Sequence, residues 1–166
     1  IPIWWLISNR VGKKITWLIS SSITLVALMV FYIYEINTLL ELLFLVAFIG
    51  FGSGAGGILF WSMLPDTIEY GEVKTGIRSE SSLYGFMTFA QKGSIAFAII
   101  ILGIVLDYIG FKANELQSES TIESMKAIMT IIPTIGVATS LIIIYFYPID
   151  AKMHKELLNQ LKGSQT

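Results

Sequence analysis

Four long apolar stretches dominate the pattern of hydrophobic and polar positions along the chain. They cover residues 15–34, 42–64, 82–106 and 126–147. Their charged residues are two lysines: one opens the last stretch, and the other, Lys92, lies inside the third. A helix needs about 20 predominantly apolar residues to cross the ~30 Å hydrocarbon layer of a bilayer. The pattern therefore predicts four transmembrane helices.

The same stretches argue against the other fold classes. Helices around a soluble core usually show a polar face with a period of about 3.6 residues, whereas these segments are apolar nearly all round. Strands of a membrane barrel would alternate polar and apolar positions over about ten residues. The predicted fold class is an all-α membrane protein, in contact with the lipid bilayer.

Basic residues in the connecting segments predict the orientation. Arg10, Lys13 and Lys14 precede the first span, two bases lie in the loop 65–81, and three lie in the tail 150–166. All three regions fall on one side of the membrane, and the opposite side has only two bases. Because cytoplasmic loops retain Lys and Arg, we expect the loop and the C-terminal tail to be cytoplasmic.

Composition excludes several functions. Charged residues make up 14% of the chain, against roughly one in four for soluble proteins. The net charge is −1 and cysteine is absent, which argues against nucleic-acid binding, disulfides and thiolate metal sites. The sequence shows no nucleophile beside a base, no carboxylate pair and no cluster of metal ligands. No enzyme activity and no metal site are predicted.

Lys92 is the most informative single residue. If the third helix begins near residue 81, about eleven residues at ~1.5 Å each place Lys92 ~16 Å deep, near the bilayer midplane. A charge there costs at least ~2.5 kcal/mol and ordinarily faces a polar cavity or a partner. Tyr84, Thr88, Gln91 and Lys92 share one helix face. This face is predicted to line a transport pathway, the alternative being a structural pair with an acid outside this chain.

Smaller features carry their own expectations. The glycines of residues 50–57 have the small-xxx-small spacing of close helix packing rather than the context of a dinucleotide motif. Trp4, Trp5 and Trp17 are predicted to lie in an interfacial aromatic belt. His154, among lysines in the tail, is predicted to be solvated. The chain opens on Ile within an apolar segment, so we expect a piece of a longer protein.

The loop 65–81 has four acids and two bases between two apolar spans. Its pattern D-x-x-[DE]-Y-G-E-x-K-x-x-x-R-x-E, with the later Lys92 and Gly93, resembles the tenth-to-eleventh helix region of the glycoside–pentoside–hexuronide cation symporters of the major facilitator superfamily. The turn "NRVGKK" at residues 9–14 is similar to the superfamily's D-R-x-G-R-K turn, with Asn9 replacing the acid. The resemblance implies a partial C-terminal helical bundle over residues 1–166, from the end of helix eight through helix twelve.

The resemblance also implies the ligands. Sugar contacts are expected at Trp61, Thr88, Gln91 and Lys92, and Tyr84 shares the helix face of the last three. Met87 stands where the best-known family member has glutamine. We expect no cofactor on this chain. The coupling cation, Na⁺ or H⁺, is expected in the N-terminal half-bundle, which would be the partner of this one.

The charges of the loop are given a gating role by the same resemblance. Acids at the positions of Asp66 and Glu69 and an arginine at that of Arg78 join a cytoplasmic network between the two halves when the transporter faces outward. Arg10 and Glu80 are grouped with them. Exposed ion pairs are weak enough to break and reform, as alternating access requires. The simpler alternative is a solvated loop.

The function implied is secondary active transport of a glycoside, pentoside or hexuronide with Na⁺ or H⁺, by alternating access, in the bacterial inner membrane. A different class of function is also open. A small helical membrane subunit or lipid-handling protein could use the intramembrane lysine to bind anionic headgroups.

Overall fold

The computed structural model describes residues 2–163, and the side chains from residue 2 to residue 160. This part of the chain is all-α, with no strand. Its helices are α1 (Pro2–Val11), α2 (Lys13–Ile33), α3 (Leu39–Thr75), α4 (Glu80–Tyr108), α5 (Glu119–Phe146) and α6 (Ala151–Gly163). Helices α2 to α5 are long and apolar enough to cross a membrane. The last three residues of the predicted tail lie outside the described residues.

Helix α2 runs antiparallel to both α3 and α5 and packs against both. At its start, the Lys14 ammonium donates to the carbonyl of Tyr147, just past the end of α5 (2.7 Å). At the other end, the Lys126 ammonium near the start of α5 donates to the carbonyl of Tyr34 (3.0 Å). We call the end of the bundle formed by residues 8–14, 62–80 and 147–160 the charged end.

Two of the tryptophans near the start of the chain make contacts within the bundle. The Trp4 side chain is buried, and its indole N–H donates to the Phe51 carbonyl of α3 (2.8 Å). The Trp17 indole donates to the Ser140 hydroxyl of α5 (2.8 Å). Two of the three tryptophans expected at the membrane interface therefore donate hydrogen bonds to another helix. The buried cluster consists of Trp4, Ala55, Leu59, Met63 and Ile144.

The interpretation of residues 65–81 as a loop is wrong for most of its length. Helix α3 has 37 residues, which at ~1.5 Å each is about 55 Å, far more than the hydrocarbon layer requires. It continues through Pro65 to Thr75, and Gly76 ends it in the left-handed conformation (φ 71°). The charged residues mark where α3 leaves the apolar layer, not where the helix stops. Residues 76–79 alone connect α3 to α4.

Helix α4 has a different environment from its neighbours, because it contains no buried residue. Its contact with α3 includes a stacked pair of rings, Trp61 and Tyr84, with centroids 6.5 Å apart and planes 13° from parallel. Most of the remaining residues of this apolar helix are exposed in the described chain.

The glycine-rich stretch of α3 packs closely at one position only. A Cβ atom built on Gly52 would lie 2.5 Å from the Thr24 hydroxyl and 2.8 Å from the Thr24 backbone nitrogen of α2. Cβ atoms on the other four glycines of residues 50–57 would meet nothing within 4 Å. Gly52 lies on the same helix face as the buried Ala55 and Leu59. The predicted packing surface is therefore confined to the face turned toward α2.

We expect Gly52→Ala to destabilise the protein. The new methyl group meets the backbone of α2 rather than a flexible side chain, so the helices must separate. Overpacking of this kind costs about 1–3 kcal/mol. The measurement is thermal unfolding of the full-length protein in detergent.

Gly54→Ala is the matched control for this substitution. It adds the same methyl group on the same helix, but into open space. Equal melting temperatures for the two variants would contradict the close approach of α2 and α3.

Candidate functional site

The centre of the charged end is an ion pair between α2 and α3. The Lys13 ammonium lies 2.7 Å from Oδ1 and 2.8 Å from Oδ2 of Asp66, and it also donates to the carbonyl of Ser62 (2.6 Å). The Asp66 side chain is 7% exposed. A carboxylate this deeply buried requires a compensating charge. Lys13, which the sequence marked only as a sign of orientation, provides it.

His154 of α6 reaches the same carboxylate. Its Nδ1 atom lies 3.4 Å from Oδ1 of Asp66 and 3.8 Å from Oε2 of Glu69. The prediction of a solvated histidine is therefore wrong. The cause is a contact with α3, which is far from His154 in the sequence. The apolar residues Ile149 and Leu157, which are buried, were a sequence signal that this helix packs on the bundle.

The three side chains Asp66, Glu69 and His154 have donor atoms within 4.8 Å of one another, a spacing that could suit a metal ion. Asp66, however, already accepts hydrogen bonds on both oxygens from the Lys13 ammonium. A divalent cation beside that ammonium would meet strong repulsion. The arrangement is better suited to an ion-pair network than to a metal site.

Arg78 belongs to a second, separate group of charges. Its guanidinium donates to Glu72 at the end of α3 (2.8 Å) and to Glu80 at the start of α4 (3.1 Å). The hydrogen bond that Arg78 donates to Glu72, followed by the one it donates to Glu80, raises the pKa of Arg78 above its ordinary value. These contacts bridge the short connection between the two helices.

The structure does not bring Arg78 to Asp66 or Glu69, although the sequence grouped all three. Because α3 is continuous to Thr75, Asp66 and Glu69 lie more than one helical turn before its end. The Arg78 guanidinium pairs instead with the nearer acids Glu72 and Glu80. Arg10 is exposed and lines a cavity of about 310 Å³ that Asp66 and His154 also line. The predicted gating residues thus form two groups rather than one network.

The predicted sugar-binding residues lie on or beside α4. Because α4 is continuous, Tyr84, Thr88, Gln91 and Lys92 share one of its faces. Trp61 reaches this face by stacking on Tyr84. The Thr88 hydroxyl donates to the Tyr84 carbonyl (2.8 Å), which leaves its lone pairs free to accept.

Lys92 lies about twelve residues into α4, or ~18 Å along its axis. Its side chain is exposed, and among the described residues no hydrogen bond or salt bridge involves it. Met87 takes another direction. It lines an apolar cleft of about 530 Å³ with Phe60 and Leu83, and none of the predicted sugar-binding residues lines that cleft.

Comparison with known proteins identifies the family. The model of the family described as "MFS/sugar transport protein" matches residues 1–151. The glucuronide carrier protein homolog of Escherichia coli (strain K12) is 29% identical, over 92% of this chain and 33% of its own length. The putative sulfoquinovose importer of the same organism is 34% identical, over 93% of this chain and 34% of its own. An uncharacterized symporter of Bacillus subtilis (strain 168) is 35% identical, over 68% of this chain and 24% of its own length.

The chain spans about a third of the length of the first two of these relatives. Four helices able to cross a membrane, together with relatives that are named as transporters, make it part of a multi-pass membrane protein. The resemblance to major facilitator symporters is confirmed: the chain belongs to the MFS/sugar transport protein family.

Proposed function

We propose that the whole protein carries a glycoside, pentoside or hexuronide across the bacterial inner membrane together with Na⁺ or H⁺, by alternating access. This chain supplies part of its C-terminal bundle, with the charged end in the cytoplasm. The observation that carries the proposal is the polar face of α4, on a helix that has no buried residue.

The chemistry of that face fits a sugar. Thr88 offers a hydroxyl, Gln91 an amide and Lys92 an ammonium, which together can donate to and accept from the hydroxyl rim of a pyranose. The Trp61 indole can stack on the apolar face of the ring, and its stacking on Tyr84 holds it in position.

The depth of Lys92 supports the same conclusion. At ~18 Å along α4 the ammonium cannot easily reach either surface, and exposing it to lipid costs at least ~2.5 kcal/mol. An N-terminal half-bundle packed over α4 would enclose it in a polar cavity between the two halves. Transporters of this architecture bind substrate near the bilayer midplane, between their repeats.

The charged end supports a division of roles among the gating residues. The pair of Lys13 with Asp66 and the pairs of Arg78 lie within this chain, so they hold the bundle together while it moves as a body. A contact that opens and closes must involve the other half. Arg10, which is exposed and lines the cavity, is best placed to make it.

The alternative of a lipid-handling subunit has less support. The relatives with printed functions are named as a carrier, importers or exporters rather than as subunits. No feature of the charged end or of α4 favours headgroup binding over the transport pathway.

We expect Lys92→Ala to reduce uptake by about tenfold or more while leaving the amount of protein in the membrane nearly unchanged. The reason is the loss of a hydrogen bond from a charged group, worth about 1.5–3 kcal/mol. The measurement is uptake of a panel of labelled glycosides, pentosides and hexuronides by cells that produce the full-length protein.

Ser94→Ala is the control for that experiment, because the Ser94 hydroxyl donates to the Ala90 carbonyl of its own helix. Its uptake should match that of the unmodified protein. If the Lys92→Ala variant takes up every substrate of the unmodified protein at the normal rate, the lysine has no role in the transport pathway.

A second prediction concerns the ion pair within the bundle. Lys13→Met leaves the buried Asp66 carboxylate without its cation, and the full cost of such a change is about 3–5 kcal/mol. The partial exposure of Lys13 reduces this to about 1–3 kcal/mol. We expect a lower melting temperature and lower uptake from the full-length protein.

Adding Asp66→Asn to Lys13→Met should recover part of the lost stability, because it removes the uncompensated charge. The two single variants and the double variant form a thermodynamic cycle. Strictly additive effects on the melting temperature would show that the pair does not couple α2 to α3.

A further inference from the structure

Helix α6 is docked on the charged end although it is short and mostly polar. It packs against α3, and the apolar Ile149 and Leu157 are 4% and 6% exposed. The Asp150 carboxylate accepts a hydrogen bond from the Met153 backbone N–H (2.7 Å) and so caps the first turn. Two apolar residues therefore anchor the tail, and its polar contacts can adjust how firmly it is held.

His154 is the polar contact in question. Its Nδ1 and the Oε2 of Glu69 are both buried atoms without a hydrogen-bond partner. Nδ1 faces Oδ1 of Asp66 at 3.4 Å and this Oε2 at 3.8 Å. A neutral ring with its proton on Nε2 turns a lone pair toward two carboxylates. A neutral ring with the proton on Nδ1 donates to them but brings no charge, whereas a protonated ring does both.

The charge balance around His154 is incomplete without that proton. Asp66 and Glu69 bring two negative charges to the cluster, and Lys13 brings one positive charge to Asp66. Protonated His154 would supply the second. A cavity of about 310 Å³ lies beside His154. Its lining includes charged groups from α1 (Arg10), α2 (Lys13), α3 (Asp66) and the tail (Asp150 and Lys155).

We propose that α6 is a proton-dependent latch, in which protonation of His154 fastens the C-terminal tail to α3 through Asp66 and Glu69. The proposal rests on the proposed function only for its consequence, namely that the latch lies at the cytoplasmic mouth of a transport pathway. Histidine changes charge between about pH 5 and pH 8. In this latch the form that pairs with the two carboxylates is the protonated one, so docking should be strongest at low pH and should weaken as the pH rises.

The test is a distance measurement by pulsed electron paramagnetic resonance on the full-length protein in lipid. Spin labels are attached at Lys74→Cys, at the end of α3, and at Asn159→Cys on α6, both exposed positions. This chain has no cysteine of its own, and any elsewhere in the protein are replaced. The distance distribution is recorded with a chelator present at about pH 5.5 and about pH 8, at either side of the histidine range.

The measurement is made in the unmodified tail and in a Leu157→Ala background, which weakens the apolar anchor so that the polar contact decides the balance. In that background the ratio of docked to free tail should fall by about fivefold or more between the lower and the higher pH. His154→Gln should abolish this pH response, and Glu69→Gln should reduce it. Lys152→Gln, an exposed change on the same helix, should leave it intact.

Any of three results would overturn the proposal. One is a docked fraction that does not change with pH in the Leu157→Ala background. The second is a pH response that persists in His154→Gln, and the third is one that appears only when Zn²⁺ replaces the chelator. None of these readings depends on transport, so a failure of the latch and a failure of the proposed function are distinguishable.

Discussion

The buried ion pair of Lys13 with Asp66 is the interaction on which the charged end depends. An aspartate that is only 5% exposed is costly to bury unless a cation reaches it. Lys13 can do so because α1 stops at Val11 and Gly12 takes a φ of 88°, a conformation that favours glycine, before α2 begins. A Cβ atom on Gly12 would lie 3.2 Å from the Cβ of Ala151. The turn at Gly12 therefore positions the Lys13 ammonium against α3 and forms part of the surface on which α6 packs.

The charged end and the polar face of α4 differ in how their charges are compensated. At the charged end, Asp66 and Glu72 of α3 meet cations of the same chain, Lys13 and Arg78. On α4, the polar face around Lys92 has no such partner among the described residues, and the surrounding helix surface is apolar and uncovered. A polar face with an ammonium at midplane depth requires a second surface to enclose it. This difference is the basis of our proposal that α4, rather than the charged end, meets the substrate.

The sequence predicted the fold well where length and hydrophobicity decide it. Four apolar stretches, of which the third contains Lys92, predicted the four long helices and placed Trp61 and Lys92 on neighbouring helices, as the structure does. The charged residues between the second and third stretches suggested a loop where α3 continues to Thr75. Charge shows where a helix meets water, whereas helix ends depend on caps such as Gly76, whose signal is short and local.

The contacts of the charged end were less predictable, because they join residues that are far apart in the chain. Asp66 meets Lys13, 53 positions earlier, and His154, in a tail that looked fully solvated. Local pattern carries no information about which distant cation reaches a given acid. Arg78 was grouped with Asp66 and Glu69, but the rigidity of α3 gives it Glu72 and Glu80 instead. Gly52 shows the same limit, since spacing identified the glycines without showing which one faces α2.

The most direct test of the central claim is an experimental structure of the full-length protein in lipid with a transported sugar bound. We expect the N-terminal half to cover α4, the Lys92 ammonium to lie within hydrogen-bond distance of the sugar or of a group that contacts it, and Trp61 to stack beside the ring. An α4 whose Lys92 face is turned toward lipid, with the sugar bound elsewhere, would contradict the claim.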